Sequence, residues 1–268
     1  MKNLLDWYRE FLIIRKNFEI TNSIDLSKFS FIDPELLLLI FPYLKNGNNL
    51  IIEEQNSSLK NYIDIIKQNY NNLDGTENYM PVVSLNSDNY GNILDNTFKI
   101  LESNFDIKNK NVIGYIIGEL YTNVKDHSKA ANNYVILQYY KNLGLEISVY
   151  DNGIGIAGSF RNHSRPAKND CNAIEQAISG VSTKNCGNID QAPRGMGLLS
   201  INNIIKRDKK DEFIIISNKG IYHYFNGIKK IYNLSECDGL NGTLISVMFK
   251  NKKIFNKIDL YDAIEDLT

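Results

Sequence analysis

Three short stretches in the second half of the chain decide how it is read. They are Glu119-Leu-Tyr-Thr-Asn123-Val-Lys-Asp126-His127, then Asp151-Asn-Gly153-Ile-Gly155-Ile156, then Arg194-Gly195-Met196-Gly197-Leu198. Around the first, Ile113, Ile116, Ile117, Leu120 and Val124 recur at helical spacing, so residues 111–129 read as a helix with one apolar face. Glu119, Asn123, Asp126 and His127 fall on the adjoining edge, at intervals of four and then three or four. One wall of a pocket would thus present a carboxylate, an amide and a second ionisable pair. The Asn123 amide oxygen is a hard ligand suited to magnesium, and Glu119 one turn away is placed to orient or deprotonate a nucleophile. Alone, the pattern is also that of a solvated helix edge.

The second stretch comes after an expected strand over 145–150. Gly153, Gly155 and Gly158 spell Gly-x-Gly-x-x-Gly, which in a dinucleotide fold opens a helix whose N-terminus meets a pyrophosphate. The segment from Ser159 to Lys168 is polar and broken by Pro166, so neither that helix nor a βαβ unit is expected. Asp151 carries more weight. A carboxylate fixed at a strand end accepts a hydrogen bond from an exocyclic amino group such as adenine's, and Gly153 and Gly155 let a flat base lie against bare backbone. Asp-Asn-Gly is equally a hairpin-turn signal.

In the third stretch, Gly195 and Gly197 open an apolar helix over about 197–206 and expose backbone N–H groups toward an anion. Ahead of it lies a long polar segment. There Ser182 and Thr183 offer hydroxyl donors, and Lys184 and Arg194 offer charges that would neutralise phosphate. A structureless loop of that length is expected to act as a lid; a surface loop before a capped helix is the alternative.

Outward from these motifs, helices are expected over 93–105 and 111–129 and strands over 133–140 and 145–150. Strands at 212–217, 220–225 and 243–249 close the pattern. Helices and then a meander imply helices on one face of a largely antiparallel sheet. Turn-rich sequence near 74–92, interrupted by a strand candidate at Met80, suggests a boundary. The expected division is a small α/β unit over 1–88 and a second domain over 89–268. The first unit alternates a strand near 22–27, a helix opened by Pro34, a strand near 49–54 and a helix over 59–70.

The bulk figures are those of a globular protein: 268 residues, 43% hydrophobic, 23% charged and a net charge of -1. Near-neutrality gives no general pull toward nucleic acid or membranes. The three cysteines form no Cys-x-x-Cys pair, which suits a reducing cytoplasm rather than a disulfide framework. No apolar run approaches the roughly 18–20 residues of a membrane span, and the N-terminus is charged too early for a signal peptide.

Taken together and in this order, the three motifs resemble the GHKL ATPase superfamily of histidine kinases, anti-sigma serine kinases, DNA gyrase, Hsp90 and MutL. Residues 119–127 look like its N box, 151–156 its G1 box and 194–198 its G2 box. Asn241-Gly-Thr243 with the strand to Phe249 resembles its last strand. The resemblance covers roughly residues 90–250 and implies a Bergerat-type two-layer α/β sandwich binding ATP and magnesium. Asn123 would hold the metal, Asp151 would read adenine with support from Thr243, and Glu119 would be the general base. Gly153, Gly155, Gly195 and Gly197 would shape the base and phosphate contacts, with Asp126, His127, Ile156, Met196 and Leu198 beside them.

No histidine precedes His127, which speaks against a histidine-kinase phospho-acceptor, and little chain lies beyond Phe249 to form a transducer. The spelling of residues 119–127 is closest to the anti-sigma serine kinases. Residues 24–36 resemble a STAS domain, with Pro34 where that family's phosphorylatable serine would stand, implying a docking role. The expected partners are ATP and an unidentified regulatory protein. The rival expectations are a non-catalytic nucleotide-gated module and a slow ATPase working through a homodimer.

Overall fold

The computed structural model describes residues 4–45, 49–53, 56–68, 75–105, 110–181 and 197–250. The chain opens with α1 (Leu4–Thr21), β1 (Ser23–Asp25), α2 (Pro34–Lys45), β2 (Asn49–Ile51) and α3 (Ser57–Gln68). It continues with β3 (Tyr79–Ser84), α4 (Tyr90–Asn104), α5 (Asn111–Asn123), β4 (Asn133–Tyr140) and β5 (Gly144–Asp151). After α6 (Gly155–Asn162), α7 (Asp170–Ile178) and α8 (Gly197–Lys206) come β6 (Glu212–Ser217), β7 (Gly220–Phe225), β8 (Ile228–Asn233) and β9 (Thr243–Phe249). None of the described helices is long and apolar enough to cross a membrane.

Strands β3 to β9 form one seven-stranded sheet in the order β3-β4-β5-β9-β6-β7-β8, antiparallel at every pairing. Strand β5 shows how its two faces are built. Leu145, Ile147 and Val149 join a core formed with α4, α5, α7 and α8, while the alternate Glu146, Ser148 and Tyr150 face the other way, as the two-residue period of a strand requires. Helices on one face of an antiparallel sheet are the arrangement the sequence led us to expect.

The other face is covered too. Helices α1, α2 and α3 pack there with Val82, Tyr134, Ile136, Tyr150, Ile214 and Leu244 of the sheet. Nine of the twelve residues of α2 are buried, which is what a helix apolar all round demands. Each large apolar side chain so buried stabilises the fold by about 1.5–3 kcal/mol. Strands β1 and β2 pair in parallel as a separate two-stranded sheet.

Besides α1, which the sequence reading did not include, three local features after α5 begins depart from it. The helix expected over 111–129 changes at Asn123 into a wider π-helical turn over 124–128, stopped by Lys129 in the left-handed region at φ 51°. The polar segment after Gly155 holds two helices, α6 and α7. A helix does therefore open at the glycine pattern, and the dinucleotide fold is ruled out instead by the second helix and the antiparallel sheet that come after it. Strand β8 was not expected at all.

Between α2 and the sheet lies a buried polar cluster. Glu146 Oε1 lies 3.1 Å from Ser148 Oγ, which is 2.8 Å from Ser246 Oγ, itself 3.1 Å from Glu35 Oε1. The two carboxyls also hydrogen-bond to each other. Four contacts need four hydrogens, and the serines supply two, so the ring closes fully only with both carboxyls protonated. Burial raises both carboxyl pKa values, that of Glu146 furthest. A raised carboxyl contributes stability below its unfolded pKa and loses it as pH rises through the folded one. Glu146→Gln should accordingly stabilise the chain by on the order of 1 kcal/mol at pH 8 and by less at pH 5, as read from urea unfolding at the two pH values.

Candidate functional site

Strand register builds the floor of the site. Asp151, the last residue of β5, pairs with Thr243, the first of β9, and Thr243 pairs with Ser217, the last of β6. All three are buried and form a row across the sheet end. Thr243 Oγ1 and Ser217 Oγ are 3.2 Å apart, and Ser217 Oγ accepts from Ile156 N at 2.8 Å. The sheet end thereby holds the start of α6 in place. Burial raises the Asp151 pKa to about 7, against the opposing effect of the Gly153 N–H, which donates to Oδ1 at 2.9 Å.

The π-helical turn docks on this floor. Ser128 O accepts from Ile154 N at 2.8 Å, and a Cβ at Gly153 would lie 2.0 Å from that same Ser128 O. Only glycine permits the approach. Gly155 opens α6 at φ +71°.

The wider turn also sorts the polar helix edge. Glu119, Asn123 and His127 face the cavity, whereas Asp126 is exposed and not among the lining residues. Winding with i→i+5 bonds inserts a residue into the turn, so positions chosen at 3.6-residue spacing do not all stay on one wall. Glu119 meets the first residue of α8, where a Cβ on Gly197 would sit 2.1 Å from its Oε2.

These segments enclose about 860 Å³ of empty space, open in part to solvent. Of the site residues expected from sequence, Glu119, Asn123, His127, Asp151, Gly155, Ile156, Gly197, Leu198 and Thr243 line it. Gly153 stands behind the wall, and Asp126 points away from it. Ser182, Thr183, Lys184, Arg194, Gly195 and Met196 lie outside the described residues. The sequence reading missed Ser159 and Phe160 of α6, Ala177 and Val181 beyond it, and Thr122 and Ser128. The Asn169-Asp170 pair was a legible signal for part of this wall, since Asn169 caps α7 by accepting from Asn172 N at 2.8 Å.

Two buried polar atoms of lining residues, Asn123 Nδ2 and Ser159 Oγ, have no hydrogen-bond partner among the described residues. An orphaned polar group in a cavity wall is the mark of a place where a ligand or water completes the bonding. The partnerless atom of Asn123 is its amide nitrogen, a donor that calls for an acceptor such as a phosphate or water oxygen. Its Oδ1 is the atom that would hold magnesium, which takes few protein ligands and fills its octahedron with water and phosphate oxygens. The described residues hold no group of three or more His, Cys, Asp and Glu that would bind a metal unaided.

No protein-family model matches the chain, and no curated protein does. Among solved structures, the topoisomerase IV ATP-binding domain of Francisella tularensis in complex with a small-molecule inhibitor aligns at 19% identity and a TM-score of 0.30. The alignment covers 71% of this chain and 48% of that one, so the chain spans about half its length. A likeness that distant carries no weight beside the geometry.

Asp151 ties the site to stability with a definite sign. Its folded pKa of about 7 exceeds the ordinary carboxylate value, so its contribution is intact in acid and lost as pH rises through 7. Asp151→Asn keeps an oxygen to accept from Gly153 N and removes that loss. Relative to wild type, its unfolding free energy read from urea titration should rise at pH 8 by up to about 4 kcal/mol and change little at pH 4.

Proposed function

We propose that this chain is an ATP- and magnesium-binding regulatory protein of the GHKL type that transfers the terminal phosphate of ATP to a serine or threonine hydroxyl of a partner protein. The observation that most supports this is the convergence of Glu119, Asn123, Asp151, Gly155, Gly197 and Thr243, from segments far apart in sequence, on a single cavity. A magnesium ion held with the phosphates would offset their charge.

In this reading the Asp151 carboxylate accepts from the adenine amino group, while Gly155 and Ile156 form the surface on which the base lies. Asn123 would hold the metal through its amide oxygen. Glu119 takes the proton of the partner's hydroxyl as that oxygen bonds to the terminal phosphorus, and the bond from phosphorus to the bridging oxygen breaks, leaving ADP. By their place in the sequence, Ser182, Thr183, Lys184, Arg194, Gly195 and Met196 belong to the phosphate end. Residues 1–88 serve as the docking unit.

A second reading, a nucleotide-gated interaction module, draws on one contact. Arg15 on α1 donates to the carbonyls of Gly239 (2.7 Å) and Cys237, and Tyr8 Oη donates to Asp238 O at 2.8 Å. The segment so gripped leads directly into Gly242 and Thr243 of the floor. Front segment and cavity wall are thereby mechanically joined, which is what gating requires.

The deciding experiment tracks terminal-phosphate-labelled ATP with magnesium in wild type, Glu119→Gln and Asp151→Asn, with candidate partner protein present. Glu119→Gln should retain ATP affinity within about twofold and lose transfer at least about a hundredfold, the usual worth of a general base. Asp151→Asn should lose binding. Transfer undiminished in Glu119→Gln removes Glu119 from the chemistry. ATP bound and left intact by the wild type favours the gated module.

A further inference from the structure

We infer that Ser159 is a specificity-determining residue of the cavity, its hydroxyl pairing with a sugar hydroxyl of the bound nucleotide so that a ribonucleotide is preferred to a deoxynucleotide. The inference rests on the nucleotide reading of the site and adds a determinant that the three sequence motifs do not contain.

Gly155, Ile156, Ser159 and Phe160 line the cavity. Their spacing of i, i+1, i+4 and i+5 places them on one face of α6. Ile156 and Phe160 make that face apolar, and Ser159 is its single polar side chain. The residue is 6% exposed. Its carbonyl is engaged, 2.8 Å from His163 Nδ1, yet its Oγ has no partner among the described residues. A serine on a helix ordinarily returns its hydroxyl to the carbonyl four residues back or turns it to water. Ser128 in the same wall does the former, donating to Val124 O at 2.6 Å. Ser159 does neither. Leaving a buried hydroxyl unmade is unfavourable, and a group in that condition on a cavity wall is one that a ligand completes.

Position and polarity point to the sugar. Ser159 lies one helical turn, about 6 Å along the axis, beyond Gly155, where α6 starts beside the Asp151–Thr243 floor. A base held by Asp151 puts its sugar, not its phosphates, at about that remove. The side chains flanking Ser159 on this face, Ile156 and Phe160, are uncharged, so the spot suits a neutral hydroxyl and not a phosphate. A serine hydroxyl both donates and accepts, as a ribose hydroxyl does. It also swings about one bond, adjusting to a ligand oxygen without movement of the helix.

The test compares ATP, 2′-deoxy-ATP and 3′-deoxy-ATP binding, with magnesium, to the full chain and to Ser159→Ala by calorimetry. Wild type should bind ATP about three- to tenfold more tightly than one of the two deoxy analogues, the range of a single net hydrogen bond. Ser159→Ala should bind ATP and that analogue equally, with the analogue's affinity unchanged from wild type. Its ligand-free melting temperature should be no lower, because an orphaned hydroxyl is removed. A preference that survives in Ser159→Ala overturns the assignment, as does a lower melting temperature with the preference intact, which would mark a structural serine. ATP bound without discrimination in wild type removes Ser159 alone. Absence of all nucleotide binding removes the reading of the site and the assignment with it.

Discussion

The site depends on how closely two backbones can approach where β5 ends. Ser128 closes the π-helical turn and receives the Ile154 N–H at 2.8 Å, and any side chain at 153 would occupy the space of the Ser128 carbonyl. That contact fixes the polar helix edge of α5 against the strand carrying Asp151. With the core packing of α5 on the sheet, it sets the separation of Asn123 and Glu119 on one wall from Asp151 on the other, and so the shape of the cavity between them. The wide turn and the glycine are therefore two halves of one constraint. The turn brings the Ser128 carbonyl down to the strand end, and residue 153 must be small enough to accept it. Irregular helical turns of this type store local strain and persist where the surroundings hold them. Here the holding contacts are the Ser128 hydroxyl's bonds to Val124 O and Ala130 N.

Covering the sheet on both faces gives that constraint something rigid to act against. A sheet packed on one face alone can flex about its strands, whereas one held between α5 and α8 on one side and α2 on the other has little freedom. The row Asp151–Thr243–Ser217 lies at the end of the three central strands, which have neighbours on both edges and helices on both faces. The bonds from Arg15 and Tyr8 reach the segment leading into Thr243 from the face opposite the cavity. Movement of α1 would thus be felt at the floor through backbone carbonyls, with no described side chain of the front segment lining the cavity.

The sequence disclosed the parts of this arrangement whose signals are local. The apolar runs of β4, β5, β6 and β9, the apolar stripe of α5 and the turn residues before α4 were all legible, and so were Glu119, Asn123, His127, Asp151, Gly155, Ile156, Gly197, Leu198 and Thr243 of the cavity lining. What escaped has identifiable causes. Strand β8, with the sequence Ile-Lys-Lys-Ile-Tyr-Asn, is a largely exposed edge strand whose lysines mask its pattern, although Asn226-Gly227 before it is a hairpin signal that could have found it. Helix α1 carries Trp7, Tyr8, Phe11 and Ile14 at helical spacing and buries them, a stripe visible to the same test that found α5. The π-helical turn was not legible, because nothing in Val-Lys-Asp-His-Ser distinguishes a wide turn from a continued α-helix; only docking on residue 153 selects it. Asp126 was placed on the wall for that reason.

Two of the buried carboxyl sites among the described residues show why a perturbed pKa does not by itself locate function. Asp151 and the Glu35–Glu146 pair are shifted in the same direction by the same cause, removal from water. They differ in how their hydrogen bonds are used. The glutamates close on each other and on Ser148 and Ser246, so their lone pairs and protons are spent inside the fold, and the cluster joins α2 to the sheet. Among the described residues Asp151 has one donor, Gly153 N, and it lines a cavity with its other acceptor positions unspent by them. A carboxylate so held costs the folded chain stability at neutral pH and recovers it only when something in the cavity donates to it. The arriving group must therefore carry a hydrogen-bond donor, fit beside bare backbone at the start of α6, and leave room toward Asn123. An exocyclic amino group on a flat ring would meet those three conditions together, which is what supports the proposed role of Asp151 at this end of the cavity.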